Sequence, residues 1–346
     1  MKKNKKPEST IVDIARELGI SAATVSRALN DHPKISKRTK ERVSQKALEL
    51  GYRRNQLASS LRNSRTFTVG MIVPRISMFF HAEVISGVQN LLHRKGYNLI
   101  ICQSNDSDEI EKELAATLYS SRVDGVLVAS TLYTTDYSHF DVFVEKGIPL
   151  VFYDRVPVDP YPAQLVEGDE YRGGYLAGEH LAQMGCTRIA AIFGLLSCSL
   201  YRGRLKGFKD ALTAYKLEAD ESRIYFHELT HENALKTLEI LFSTKPYPDG
   251  LFTANDTSAL AMLDFARQRG IRIPEDLKLV GYSNDPRAAS VTPSITTIDQ
   301  FPGEVAIQVV DALGRLLENR TKSILEEPRT VVTPVALIKR QSTNPQ

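Results

Sequence analysis

The chain has 346 residues, 42% hydrophobic and 25% charged, with a formal net charge of +3. That length suits two to three soluble domains of about 100–200 residues each. No run of roughly 18 apolar residues occurs and no apolar stretch follows the Lys-rich start, so neither a membrane span nor an export signal is expected and the location expected is cytoplasmic. Cys102, Cys186 and Cys198 are odd in number and lack CxxC or Cys/His ligand spacing, which suits a reducing compartment without structural disulfides or a bound metal. The net charge hides an asymmetry: residues 1–65 carry 16 Lys or Arg against 6 Asp or Glu, a net of +10, and the remainder carries −7. A cationic head on a mildly acidic body is the footprint of a phosphate-binding module attached to something else.

From Thr10 the chain reads as a short helix, with Ile11, Ile14, Ala15 and Leu18 on one stripe, Thr10 as N-cap and Gly19 as the stop. Ser21 caps a second helix whose Val25, Ala28 and Leu29 pack back across the first through a tight turn. Its other face presents Ala22, Ala23, Ser26, Arg27 and Asn30, small residues plus one guanidinium able to grip guanine in a DNA groove. A third helix is predicted from Ser36 to Leu50, ended by Gly51. Residues 56–62 form a helical-looking piece of under three turns, too short to be stable alone.

From Thr66 onward short apolar runs alternate with amphipathic stretches of 10 to 17 residues, the βαβ rhythm. Strands are predicted at Val69–Val73, Asn98–Gln103, Gly125–Ala129 and Leu150–Tyr153, then at Ile189–Phe193, Arg223–His227, Leu251–Ala254 and Leu279–Tyr282. Two successive series of parallel strands imply two lobes whose strand C-termini face a crevice, where open α/β sheets bind ligands.

Three enzyme-like motifs fail on context. His227-Glu228-Leu229-Thr230-His231 spells HExxH, but zinc chemistry needs both histidines on one helix, whereas His227 ends a predicted strand and Thr230 caps the next helix. Gly281-Tyr282-Ser283-Asn284-Asp285 approaches the hydrolase elbow GxSxG without its last glycine. Gly173, Gly174 and Gly178 lie in a helical pattern and do not make GxGxxG. No catalytic residues and no cofactor are therefore expected. An exported solute-binding protein would share such a body but has no use for the +10 head.

In the order in which they occur, the segments Thr-Ile-Val-Asp-Ile-Ala, Ser-Ala-Ala-Thr-Val-Ser-Arg, Gly-Tyr-Arg-Arg-Asn and Leu-Ala-Ser-Ser-Leu resemble the lactose-repressor (LacI/GalR-type) family of bacterial transcription regulators. The body segments Tyr153-Asp154-Arg155, Arg202-Gly203-Arg204-Leu205-Lys206-Gly207-Phe208, Ala254-Asn255-Asp256 and Ser294-Ile295-Thr296-Thr297-Ile298 carry the same likeness. The fold it implies is an all-α helix-turn-helix head plus an α/β body, a two-lobed periplasmic-binding-protein-like (type I) fold with two parallel doubly wound sheets. The implied boundaries are 1–54 for the head, with tail 1–9 disordered, and 55–66 for a hinge helix or linker. The body, 67–346, would have one lobe of 67–165 and 300–328 and another of 166–299 and 329–341.

The resemblance also implies roles for residues. Base contacts fall on Ala22, Ala23 and Arg27. Thr10, Ser21, Thr24, Ser26 and Asn30 read as phosphate contacts or as plain caps, and Tyr52, Asn55 and Ala58 extend the DNA surface. Leu61 matches the hinge leucine that wedges into the minor groove beside its dimer mate. Effector-contact positions fall on Phe80, Asp154, Arg202, Asn255, Ser283 and Gln300, with an Asp154–Arg155 ion pair at the hinge as the alternative for Asp154. The effector expected is sugar-like or phosphorylated; Ser283 stands where several sugar-responsive relatives have Asp, and loss of that carboxylate argues against a simple monosaccharide and suits a phosphorylated or otherwise acidic effector beside Arg202. The partners implied are double-stranded DNA with a pseudo-palindromic operator, that effector, and a second copy in a homodimer. A repressor is expected, with an activator or a corepressor-dependent repressor as alternatives.

Overall fold

The computed structural model describes residues 9–52, 65–322 and 327–344. The chain divides into two compact units, Met1–Thr66 and Phe67–Gln346. In the first, α1 (Ile11–Leu18), α2 (Ala22–Leu29) and α3 (Lys37–Glu49) each begin at a hydroxyl cap: the Asp13, Thr24 and Thr39 backbone N–H groups donate to the side chains of Thr10, Ser21 and Ser36. Asp13 returns the bond to the Thr10 N–H, completing a capping box, and Gly19 at φ 64° stops α1. Each cap contributes about 1 kcal/mol. Helices this short are marginal alone, so the head depends on the closing of Ile14 and Ala15 on Val25, Ala28, Val43 and Ala47, all buried.

The second unit contains two six-stranded sheets. The first holds β1 (Thr68–Val73), β2 (Asn98–Gln103), β3 (Gly125–Val128), β4 (Leu150–Tyr153), β5 (Gln164–Gly168) and β11 (Thr330–Thr333), in the order β11-β5-β4-β3-β1-β2 with every pair parallel. Side chains alternate across it as a strand's period of two requires. Val69, Met71 and Val73 meet α4 (Phe79–Arg94) and α12 (Pro302–Lys322) on one face, and Ile72, Val126 and Val128 meet α5 (Asp108–Ser120) on the other, with α6 (Asp141–Glu145) completing that layer.

The second sheet runs β12-β10-β9-β8-β6-β7, formed by β6 (Ile189–Phe193), β7 (Ile224–Phe226), β8 (Gly250–Thr253), β9 (Lys278–Tyr282), β10 (Thr296–Asp299) and β12 (Ala336–Ile338); β12 alone is antiparallel. It is flanked by α7 (Glu170–Gln183), α8 (Ser199–Ala214), α9 (His231–Leu241), α10 (Asp256–Arg269) and α11 (Pro286–Ser290). α7 and α8 touch backbone to backbone: a Cβ at Gly174 would stand 1.9 Å from the Arg204 carbonyl oxygen, and one at Gly207 the same distance from that of Tyr171. The helical glycines thus permit a close helix crossing.

Four strands were not among those predicted. β5, β10, β11 and β12 are three to five residues long, and all but β12 carry polar residues among the apolar ones. Their boundaries correct the expected division of the lobes. β5 pairs with β4 and with β11, so residues 166–168 and 330–333 lie in the first sheet although expected in the second lobe. The chain passes to the second sheet after β5, returns after β10, and passes again between β11 and β12.

Candidate functional site

Parallel strands present their C-terminal ends, and the loops that follow, along one edge of each sheet. Within the second unit these loops enclose a cavity of about 400 Å³. The first sheet contributes Arg75, Ser77, Met78, Phe79 and Phe80 after β1, Asp106 after β2, Leu132 after β3 and Arg155 after β4. Tyr201 on α8, Glu228 to His231 after β7, Asn255 to Thr257 after β8, and Ser283, Asp285 and Arg287 after β9 close the other side.

Asp106 organises the first wall. It is 6% exposed and receives Arg155 Nη1 at 2.5 Å, Arg75 Nε at 3.1 Å and the Leu132 N–H at 3.3 Å. Burial by itself would raise its pKa, but the Arg155 charge and these donors hold it below the usual carboxylate range. Arg155 is fixed further by the Ser130 hydroxyl, which donates to the Arg155 carbonyl at 2.8 Å. The suggested Asp154–Arg155 pair does not form, since adjacent side chains diverge and Arg155 turns to Asp106.

In the second wall Asp256 is 2% exposed and accepts the Asp285 N–H and the Thr297 hydroxyl, each at 2.8 Å. Burial, with the neighbouring Asp285 charge, pushes it up to about 7 despite those donors. Arg287 clasps Asp285 through Nε and Nη2. Behind the wall lies a buried network: Arg204 reaches Glu170 through Nε and the Ala254 carbonyl through Nη1 at 2.9 Å, and its guanidinium sits 3.6 Å from the Tyr282 ring centroid. Tyr282 donates to Glu170 at 2.6 Å.

Of the six expected effector positions, Phe80, Asn255 and Ser283 line the cavity. Asn255 is also the N-cap of α10: its carbonyl oxygen accepts from the Ser258 N–H and its amide donates to the Leu229 carbonyl, each at 2.9 Å. Asp154 and Gln300 are buried outside the lining. Asp154, at φ 59°, faces His81 at 3.9 Å; burial pushes the carboxyl up to about 6, against the Arg155 charge and a Gln300 hydrogen bond. Burial and the Arg155 charge press His81 down to about 3. Arg202 is displaced altogether: it donates to the Leu196 and Ser197 carbonyls and lines a separate cavity of about 490 Å³. Residues two apart on a helix point about 200° apart, so the burial of Arg204 turns Arg202 away. Arg75, Asp106, Asp285 and Arg287 were not anticipated; their signal was position, a few residues past a strand's end.

In the head, Ala23 and Arg27 are exposed on α2, Ala22 is half-buried against the helical core, and Thr24 and Ser26 are partly covered. Thr10 and Ser21 act as caps, and the Asn30 amide donates to the Ser26 carbonyl at 2.7 Å. Tyr52 packs partly against the same core. Asn55, Ala58 and Leu61 lie outside the described residues. The HExxH residues separate as their context implied: His227 follows β7, Thr230 caps α9, and His231 Nε2 pairs with Asp264 at 3.1 Å. No helix among the described residues is long and apolar enough to cross a membrane.

Residues 10–55 match the model for bacterial regulatory proteins of the lacI family, and residues 179–343 match a periplasmic binding protein-like domain. The chain is 33% identical to the HTH-type transcriptional repressor PurR of Vibrio atlanticus (strain LGP32), over 84% of this chain and 87% of that protein. It is 34% identical to the sucrose operon repressor of Pediococcus pentosaceus, over 94% and 97%. Among solved structures, a complex of the transcriptional regulator CelR with cellobiose aligns at TM-score 0.72 and 28% identity, covering 97% of this chain and all of that one. The lac repressor dimer bound to operator aligns at TM-score 0.86 and 23% identity, over 97% and 99%, a likeness of fold.

Proposed function

The chain belongs to the lacI family of bacterial regulatory proteins, and from that premise we infer a cytoplasmic, homodimeric repressor of transcription that binds a pseudo-palindromic operator under the control of a small-molecule effector. The observation that carries this reading is the joining, in one chain, of a capped helix-turn-helix exposing Arg27 to a body whose two sheets open onto one polar cavity. Arg27 would grip guanine through O6 and N7, with Ala22 and Ala23 allowing close approach. Thr10, Ser21, Thr24, Ser26, Asn30 and Tyr52 would support the phosphate-facing surface.

The effector we assign to the cavity is sugar-type, in line with the cellobiose-bound relative. Carboxylates, guanidiniums and an amide supply both acceptors and donors for hydroxyls, and Phe79 and Phe80 supply aromatic faces. Phe80, Asn255 and Ser283 would touch it directly, joined by Arg75, Asp106 and Arg287. Asp154 and Gln300 would support the crossings between the lobes from beneath. Effector binding would change the angle of the lobes and so the affinity for operator. The second copy would cover the unpaired edge of β2, where Ile100 and Ile101 are exposed.

The test is selection of operator from a random DNA pool by the full chain, followed by anisotropy titration with and without a panel of sugars and sugar phosphates. A two-fold-symmetric site whose affinity responds to one compound is expected. Binding without sequence preference would overturn the reading.

A further inference from the structure

The glutamate of the HExxH segment faces the opposite lobe. Glu228, in the loop after β7, accepts a hydrogen bond from the Tyr133 hydroxyl and lies 3.9 Å from Arg75 Nη2. Tyr133 and Arg75 follow β3 and β1 of the first sheet, so one carboxylate ties together two loops of the other lobe. Arg75 is suited to receive it: the Asp106 carboxylate is shared with Arg155, and one negative charge between two guanidiniums leaves a net positive charge. Among the described residues, the other cross-lobe bonds near the cavity, from Ser197 to the Leu132 carbonyl at 2.7 Å and from Ser199 to the Val156 carbonyl at 3.2 Å, end on backbone and carry no charge. Glu228 is therefore the charged contact at the cavity mouth that separating the lobes must break.

We propose that Glu228 is a latch between the lobes. Through Tyr133 and Arg75 it sets the closure equilibrium of the ligand-free body, and thereby how far an effector can shift it. A ligand can move such an equilibrium only by its differential affinity for the two states. A body already latched shut responds less to a ligand that favours closure and more to one that needs the lobes apart. The inference rests on the reading of the body as an effector-controlled clamp and assigns that clamp a positioning residue.

The experiment is double electron–electron resonance on the full chain, with Cys102→Ser and spin labels at Lys112→Cys on α5 and Lys236→Cys on α9, the labelled chain diluted in an excess of unlabelled chain so that each dimer carries one labelled copy, without added ligand. The parent should give one narrow distance distribution. Glu228→Ala and Tyr133→Phe should each add a second, separate population, and the double variant should add no more than the larger single effect, because both remove the same contact. Tyr133 is 46% exposed, so its variant tests the latch even where Glu228→Ala fails to fold. Distributions for folded variants that superimpose on the parent would overturn the latch. Operator binding by the same samples reports separately on the regulator reading: a chain that binds operator with unchanged distances defeats only the latch.

Discussion

Gly174 on α7 faces the carbonyl of Arg204 on α8 so closely that even a methyl group has no room, the built Cβ falling 1.9 Å from that oxygen. The same crossing carries Arg204 beneath the cavity, against Glu170 and Tyr282. Gly174→Ala should push the helices apart and cost about 1–3 kcal/mol, as overpacking does. Urea unfolding would show it as a lower midpoint. Ala at Gly303, with open space around its Cβ position, should cost less.

Asp106 holds two guanidiniums, one of them on a residue only 3% exposed. Removing one partner of a buried pair costs about 3–5 kcal/mol, because the other charge is left uncompensated. Asp106→Ala should therefore destabilise the body by that order in chemical denaturation and abolish effector-induced thermal stabilisation. Full stability in the variant would show that Arg155 finds another partner.

The buried acids give stability a pH dependence of definite sign. Asp256 and Asp154 have pKa values raised on folding, from 3.8 to about 7 and about 6. The folded state thus holds their protons more tightly than the unfolded chain. Their contribution is fully present below about pH 4 and is lost as pH rises through 6 to 7, each tenfold gain in proton affinity corresponding to about 1.4 kcal/mol at most. Asp256→Asn should then gain melting temperature relative to the parent as pH moves from 5 to 8. A constant difference across that range would contradict the assignment. Asp106 and Asp285, whose pKa values are lowered, act in the opposite sense below pH 4.

Arg27→Ala should leave the head folded, since Arg27 is exposed on α2 and the core of the head is made by other residues. Discrimination between the selected operator and a variant at the contacted base pair should fall by about 1–3 kcal/mol. Non-specific, salt-dependent affinity should change far less. Equal loss on both DNAs would make Arg27 a phosphate contact.

The helices of the head were legible because capping and apolar spacing act within three or four residues: Thr10 with Asp13, Ser21 with Thr24 and Ile14 with Leu18 are all local relations. The central strands were legible because burial on both faces writes itself as an apolar run, as in Ile189–Phe193. The short strands at the crossings were not. β5 is completed by Val331 opposite Val166, and β10 by Ile338 opposite Thr297, and no local pattern encodes a partner that distant.

The site divides in the same way. Phe80, Asn255 and Ser283 were placed by the family resemblance and do line the cavity, whereas Asp154 and Gln300, placed in the same way, are buried outside it. Whether Arg202 or Arg204 turns inward, and whether Arg155 takes Asp154 or Asp106, depended on helix phase and on which loop of the other strand lay within reach. The sequence by itself determined the elements and the cationic head, because these follow from local chemistry and composition, and its motifs carried the resemblance to a regulator family. Only the tertiary structure decided which charges meet, since ion pairs are made by groups that the fold alone brings within a few ångströms.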